Sequence, residues 1–193
     1  MASPMDATIA QQCPACDGQS VLTSQTEYEV EHFGAVLLSV SRCGRCGYRH
    51  SDVTTLSNRE PVELKAEIRS VDDLNIRVIK SGTATVSIPE FGAVITPGQY
   101  SEGYISNVEG ILGKIEDALT FMLNTAKGQR SKKGKVMLKK MRAARDSKPR
   151  FTLVIKDPLG NSAIASSNPE KVKKRNLTRR ELRNIKFGEY AAR

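Results

Sequence analysis

The chain has 193 residues, 39% hydrophobic and 26% charged, long enough to bury one sizeable core. No apolar run approaches the ~18 residues of a membrane helix, and "MASPMDATIAQQ" has neither a basic head nor an apolar core. This reads as a cytoplasmic chain with no signal peptide and no membrane partner, whose thiols stay reduced. The net charge of +9 is uneven: residues 127–150 sum to +10, residues 171–193 to +7, and the rest to −8. That excludes the uniformly basic surface of a dedicated nucleic-acid binder and leaves two local blocks to explain.

Residues 1–12 read as a flexible N-terminus. The four cysteines follow in two pairs, Cys13/Cys16 and Cys43/Cys46, 26 residues apart. A two-residue gap lets both sulfurs of a pair face one ion. Glycines at 44 and 47 suit the sharp knuckle backbone. The spacer holds the β-rich runs "SVLTSQTEYEV" and "AVLLSVSRC" around an "EHFG" turn. A hairpin that returns the second pair to the first makes residues 13–53 a zinc ribbon. It holds one structural zinc ion by four thiolates, with no coordination position open for chemistry. Two disulfides or a redox pair do not suit a motif duplicated at this spacing. His32 and His50 are the competing ligands, each at an unremarkable loop position.

Residues 54–70, with "SNREP", read as a connector. Short β-like runs follow at 74–81, 84–90 and 93–98. The period then changes. Val108, Ile111, Leu112, Ile115, Leu119 and Met122 share one helical face, with Ser106 and Glu109 as a capping box. A second, basic helix packs Val136, Met137, Met141 and Ala144 against the first. Strands return in "FTLVI" and "SAIA" around a "DPLGN" turn. The fold class is mainly β with inserted α: a jelly-roll-like β-domain over 71–166, carrying a helical hairpin at about 107–147, then a basic C-terminal tail over 167–193. Both histidines lie outside the β-domain, no cysteine is left over, and there is no P-loop. The chain reads as a binding protein and not an enzyme, with no small-molecule substrate.

The motifs "CPACDGQ", "CGRCGYRHSDV", "VIKSGTATVSIPEFGAVI", "NVEGIL" and "FTLVIKDPLGNSAI" resemble, in this order over about residues 13–165, the ZPR-one zinc-finger family. The chain looks like its single-copy, archaeal-type form; eukaryotic members carry two copies. The resemblance implies a zinc finger on Cys13, Cys16, Cys43 and Cys46, followed by a double-stranded β-helix. It implies a chaperone-like adaptor that binds translation elongation factor one-alpha. Tyr48 and Arg49 match the segment after the second knuckle. Ser81, Pro89 and Glu90 match the "kS…IPE" strands, and Glu109 and Gly110 the "VEG" helix start. Asp157, Pro158, Gly160, Asn161 and Ser162 match a "DDPLGNS" loop, with Lys156 replacing the first aspartate. These are the candidate partner contacts. The alternative function is an RNA- or ribosome-associated protein using Lys/Arg segments 127–150 and 171–193.

Overall fold

The structure, a computed structural model, describes residues 11–31, 33–56, 60–98, 101–146 and 150–185. The expected flexible N-terminus up to residue 10, His32, part of the expected connector and the tail from 186 lie outside the described residues.

Strands β1 (Gln11–Gln12), β2 (Gln19–Val30), β3 (Gly34–Cys43) and β4 (Arg49–Thr55) form an antiparallel sheet in that order. The expected hairpin is β2–β3, in register from Val21 opposite Cys43 to Val30 opposite Gly34. β4 extends it through seven pairs with β3. Gln11 and Gln12, expected in a flexible terminus, are held on β2.

The β-domain has two sheets. β5 (Val62–Ile68), β7 (Thr85–Ile88), β8 (Ala93–Ile95), β10 (Phe151–Asp157) and β12 (Val172–Asn176) take the order β12-β5-β10-β7-β8. β6 (Arg77–Lys80), β9 (Tyr104–Asn107) and β11 (Ala163–Ala165) take the order β11-β6-β9. Between β9 and β10 sits a helical hairpin, α1 (Val108–Leu123) and α2 (Gly128–Asp146). A short α3 (Arg179–Asn184) follows β12. Both sheets and both long helices bury one core, with Val62, Leu64, Ala66, Ile68, Val78, Val86, Ile111, Leu153 and Ile155 at its centre.

Two expectations are corrected here. Residues 54–70 are not a connector: β5 lies between β12 and β10 and alternates buried Val62, Leu64, Ala66 and Ile68 with Glu63, Lys65 and Glu67. That is the period-two pattern of a strand. Within the expected tail of 167–193, the described residues up to 185 are not plain tail: β12 pairs with β5, and α3 is held to β12 through Arg175 and Glu181. Two details of the helices also differ. Asn107, not Ser106, caps α1, its side chain accepting from the Gly110 N–H at 2.8 Å. Met122 and Val136 point to solvent, while Met141 is buried.

On the outer face of the five-stranded sheet, Glu63 lies opposite Arg175 on one side and Lys156 on the other. Its carboxylate is 3% exposed and meets Arg175 at 2.8 Å, Lys65 at 3.1 Å and Lys156 at 3.3 Å. Burial alone would raise its pKa; the three cations outweigh that and hold it below the ordinary carboxylate range. Arg175 also clasps Glu181 of α3 at 2.6 and 2.9 Å. Lys171 pairs with Asp73 and Lys173 with Glu67. Three of the nine cations of the second basic block, Lys171, Lys173 and Arg175, are therefore paired within the fold.

Beneath the ribbon, Phe33, Val36 and Val53 pack with Ile79 of β6, and Ala163 and Ala165 of β11 close the contact. Ribbon and β-domain thus share a small second core.

Two outcomes are expected. Glu63→Gln leaves three cations without their anion and costs about 2 kcal/mol, lowering Tm by roughly 4–8 °C in a thermal melt. The depressed carboxylates Glu63, Glu67, Asp73 and Glu181 stabilise the fold above their unfolded pKa, and that contribution is lost as pH falls through their lower folded values. In acid, amide exchange in β12 should therefore rise before exchange in β10.

Candidate metal centre

The two cysteine loops are built alike. In the first, the Asp17 N–H donates to the Cys13 carbonyl at 2.9 Å; in the second, the Gly47 N–H donates to the Cys43 carbonyl at 3.1 Å. The closing residue is left-handed in both, Asp17 at φ +56° and Gly47 at φ +76°. Glycine is free to take that conformation; Asp17 is a short polar residue that tolerates it. Gly44 has no positive φ, and its N–H donates to the Ser20 carbonyl at 3.0 Å, locking the second loop onto the start of β2.

The four sulfurs converge. All lie within 4.8 Å of one another, with Cys13 to Cys46 at 3.6 Å and Cys16 to Cys43 at 3.8 Å. A tetrahedral ion with metal–sulfur bonds of about 2.3 Å needs sulfur–sulfur edges of about 3.8 Å, so the donor set fits a four-thiolate zinc site. Cys13 and Cys43 are buried, with Val21 beside them and half-buried Tyr48 and Cys16 packed against the cluster. Among the described residues no histidine joins it; His50 lies on β4 opposite Ser41. The Ser20 hydroxyl, 3.0 Å from the Cys43 sulfur, and the backbone N–H of Cys46 lower the Cys43 thiol to about 6. Ser20 is a residue that sequence reasoning missed, and nothing in its spacing marks it.

A second polar cluster lies where the ribbon meets the β-domain. Asp157 is fully buried and accepts from Ser81 at 2.8 Å, Thr83 at 2.9 Å, Ser162 at 2.7 Å and the Leu159 N–H at 3.0 Å. Ser162 in turn accepts from the Ser81 N–H at 3.0 Å. Asp52 of β4 accepts from the Gly82 N–H at 3.1 Å. A Cβ on Gly103 would fall 2.1 Å from that Asp52 carboxylate, so only glycine fits there. Lys80 is buried and donates to the Ser101 hydroxyl at 2.8 Å. Burial pushes its ammonium below the ordinary value, opposed by the charges of Asp52 and Asp157.

This placement sorts the candidate partner contacts. Ser81, Asp157, Pro158, Gly160 and Ser162 are inside the protein and cannot face a partner; their chemistry is consumed in holding the loop. Gly160 sits at φ +71°, where a Cβ would meet the Glu60 carbonyl oxygen at 2.1 Å. Half-buried Asn161 accepts from the Thr55 N–H at 3.4 Å, and half-buried Gly110 belongs to the α1 cap. Arg49, Pro89, Glu90 and Glu109 are exposed. The structure brings Tyr48 to the cysteines, and Ser81, Asp157 and Ser162 to one another. Thr83, Asp52 and Lys80, their neighbours, were missed; Asp52 lies in the quoted "RHSDV" motif, but its contact with residue 82 is visible only in three dimensions.

Binding an ion to thiolates displaces their protons, so affinity must fall as pH falls. With a chromogenic chelator reading free ion, release should steepen below pH of about 6, where Cys43 itself is reprotonated. Cys43→Ser should release the ion already at neutral pH. Separately, Gly160→Ala should cost about 3 kcal/mol through strain and the Glu60 clash, read as a lowered Tm.

Among the described residues no helix is long and apolar enough to cross a membrane. The family pattern described as ZPR1 jelly-roll domain matches residues 72–189. An uncharacterised ZPR1-like protein of Pyrococcus horikoshii is 38% identical over 184 residues, covering 92% of this chain and 81% of its own length. One of Methanocaldococcus jannaschii is 36% identical over 179 residues, covering 91% and 88%. The zinc finger chaperone zpr1 of Schizosaccharomyces pombe is 31% identical over 159 residues, which are 79% of this chain and 34% of that longer protein. With the motif order, the jelly-roll match and the clustered cysteines in agreement, the chain belongs to the ZPR1 family, the ZPR-one zinc-finger family that its sequence resembles.

Proposed function

We propose that the chain is a zinc-pinned adaptor with chaperone-like action, a binding protein whose client is translation elongation factor one-alpha. Zinc on Cys13, Cys16, Cys43 and Cys46 is part of this reading, as is a division of labour between the ribbon of 13–53 and the β-domain. The name of the fission-yeast relative, a zinc finger chaperone, supports a protein client.

One observation carries the mechanism. The outer edge of β2 is unpaired beyond Val21 among the described residues, since β1 covers only its first positions. In an antiparallel ladder, alternate residues turn their N–H and C=O outward. The Gly44 N–H bonds to Ser20, and the Leu56 N–H bonds to Ala35, which fixes the phase. Thr23, Gln25, Glu27 and Glu29 therefore present their backbone groups to the open edge. An extended client segment can pair there by strand addition, with exposed Leu22 and Tyr28 as apolar contacts beside it. The ion clamps one end of this edge and the shared core with Ile79 clamps the other, so the strand is presented straight. Exposed Arg49, next to the second knuckle, extends the same surface.

The nucleic-acid reading is weakened at the C-terminal block, where Lys171, Lys173 and Arg175 are already ion-paired within the fold.

The test is co-elution of metal-loaded protein with the purified elongation-factor GTPase, with nuclease present throughout. Complex formation is expected. Glu27→Pro removes one outward N–H without touching the β2–β3 ladder and should weaken the complex at least about tenfold, roughly 1.4 kcal/mol. Wild-type protein that gives no complex, or one that dissolves with nuclease, would sink the client assignment. Full binding by Glu27→Pro would sink the edge mechanism alone.

A further inference from the structure

The stretch from Lys127 to Arg145 holds nine Lys/Arg and no Asp/Glu. Arg142 and Arg145 pair with Glu116 of α1. The other seven cations have no anionic partner among the described residues. Where α2 passes the 3-10 turn Pro89–Phe91, a groove of about 300 Å3 opens. Its floor is Phe91, Val136 and Met137; its rim is Lys132, Lys133 and Lys140. Val136 is 56% exposed, so apolar surface faces water in the middle of a positive field.

We propose that this groove docks an acidic protein segment anchored by one bulky apolar side chain. The anchor fills the floor between Phe91, Val136 and Met137, and the carboxylates on either side of it meet Lys132, Lys133 and Lys140. The volume is at the low end of the ~300–1,000 Å3 typical of ligand sites, which suits a side chain or two and not a folded domain. Both parts of the site are used by such a segment: burial of the floor gives affinity, and the rim selects for negative charge. A nucleic acid would use the rim alone. Single strands bind by stacking bases on open aromatic faces, but Phe91 is packed against Phe151 with ring centroids 5.2 Å apart, and α2 contains no aromatic residue. The site is separate from the β2 edge and stands whether or not the elongation factor is the client.

The test uses the full, metal-loaded chain and a short fluorescein-labelled peptide rich in Asp and Glu around a central Leu-Phe pair, read by fluorescence anisotropy. Saturable binding at low salt is expected. Lys133→Glu with Lys140→Glu, on the rim, should weaken it by at least about tenfold. Lys135→Glu with Lys139→Glu makes the same charge change outside the groove lining and should weaken it only about two- to threefold. Val136→Asp, at an exposed position that leaves the core intact, should weaken it as much as the rim pair. Replacing Leu-Phe in the peptide by Ser-Ser should abolish saturation. Equal loss in both lysine pairs, indifference to Val136→Asp or to the missing anchor, or stronger binding and displacement by an oligonucleotide of equal charge would each overturn the proposal.

Discussion

The pairing of β5 with β10 holds the rest together. Seven consecutive residues, 62–68, run opposite 151–157, and everything between them in sequence, strands β6 to β9 and the helical hairpin, is bracketed by that one ladder. Its inner face supplies Val62, Leu64, Ala66, Ile68, Phe151, Leu153 and Ile155 to the main core. Its outer face sets Glu63 between Lys156 and Arg175, which lays β12 and α3 onto the sheet. Its end delivers Asp157 to Ser81, Thr83 and Ser162, and so fixes the loop under the ribbon. The entropy of closing so long a loop is recovered because all three consequences arise from one register.

What was legible in the sequence, and what was not, follows from the range of the forces involved. The ribbon could be read because the cysteine spacing encodes its geometry within a few residues, and the two loops repeat it. The helical hairpin could be read because its apolar stripe is periodic. β5 was obscured by "SNREP" before it and by Glu63, Lys65 and Glu67, which make "VELKAEI" look like a solvated stretch although its even positions are apolar. β12 offers one apolar residue, Val172; it is held by backbone pairing and by anions on β5 and before β6. Asp157 looked like a turn former facing a partner. Its hydroxyl donors come from positions 81, 83 and 162, and two of those are more than seventy residues away.

Lys156 shows how the same side chain reads differently in context. In the sequence it stands only as a replacement of the first aspartate of the "DDPLGNS" loop. In the fold it is one of three cations on a buried glutamate and reaches Glu181 as well. The two basic blocks, similar on paper, divide in the same way. In the C-terminal one, Lys171, Lys173 and Arg175 meet carboxylates of the acidic body; on α2, Arg142 and Arg145 meet Glu116 and the exposed lysines stay open among the described residues. A sum over residues cannot separate them, because what decides is whether a carboxylate lies across the strand.

The small core of Phe33, Val36 and Val53 against Ile79 also sets the terms on which this molecule can be taken apart. A cut near residues 57–60 would look harmless on a domain diagram. It would leave one fragment ending in a bare apolar sheet face, and the other with Ile79, Ala163 and Ala165 uncovered. Both pieces would be sticky, and a metal-loaded ribbon produced alone would keep its coordinating end while losing the shape of its far end. Chimaeras and truncations should therefore keep the jelly roll through β11 with the ribbon, and swap the helical hairpin, whose two ends emerge at β9 and β10, when an exchangeable part is needed.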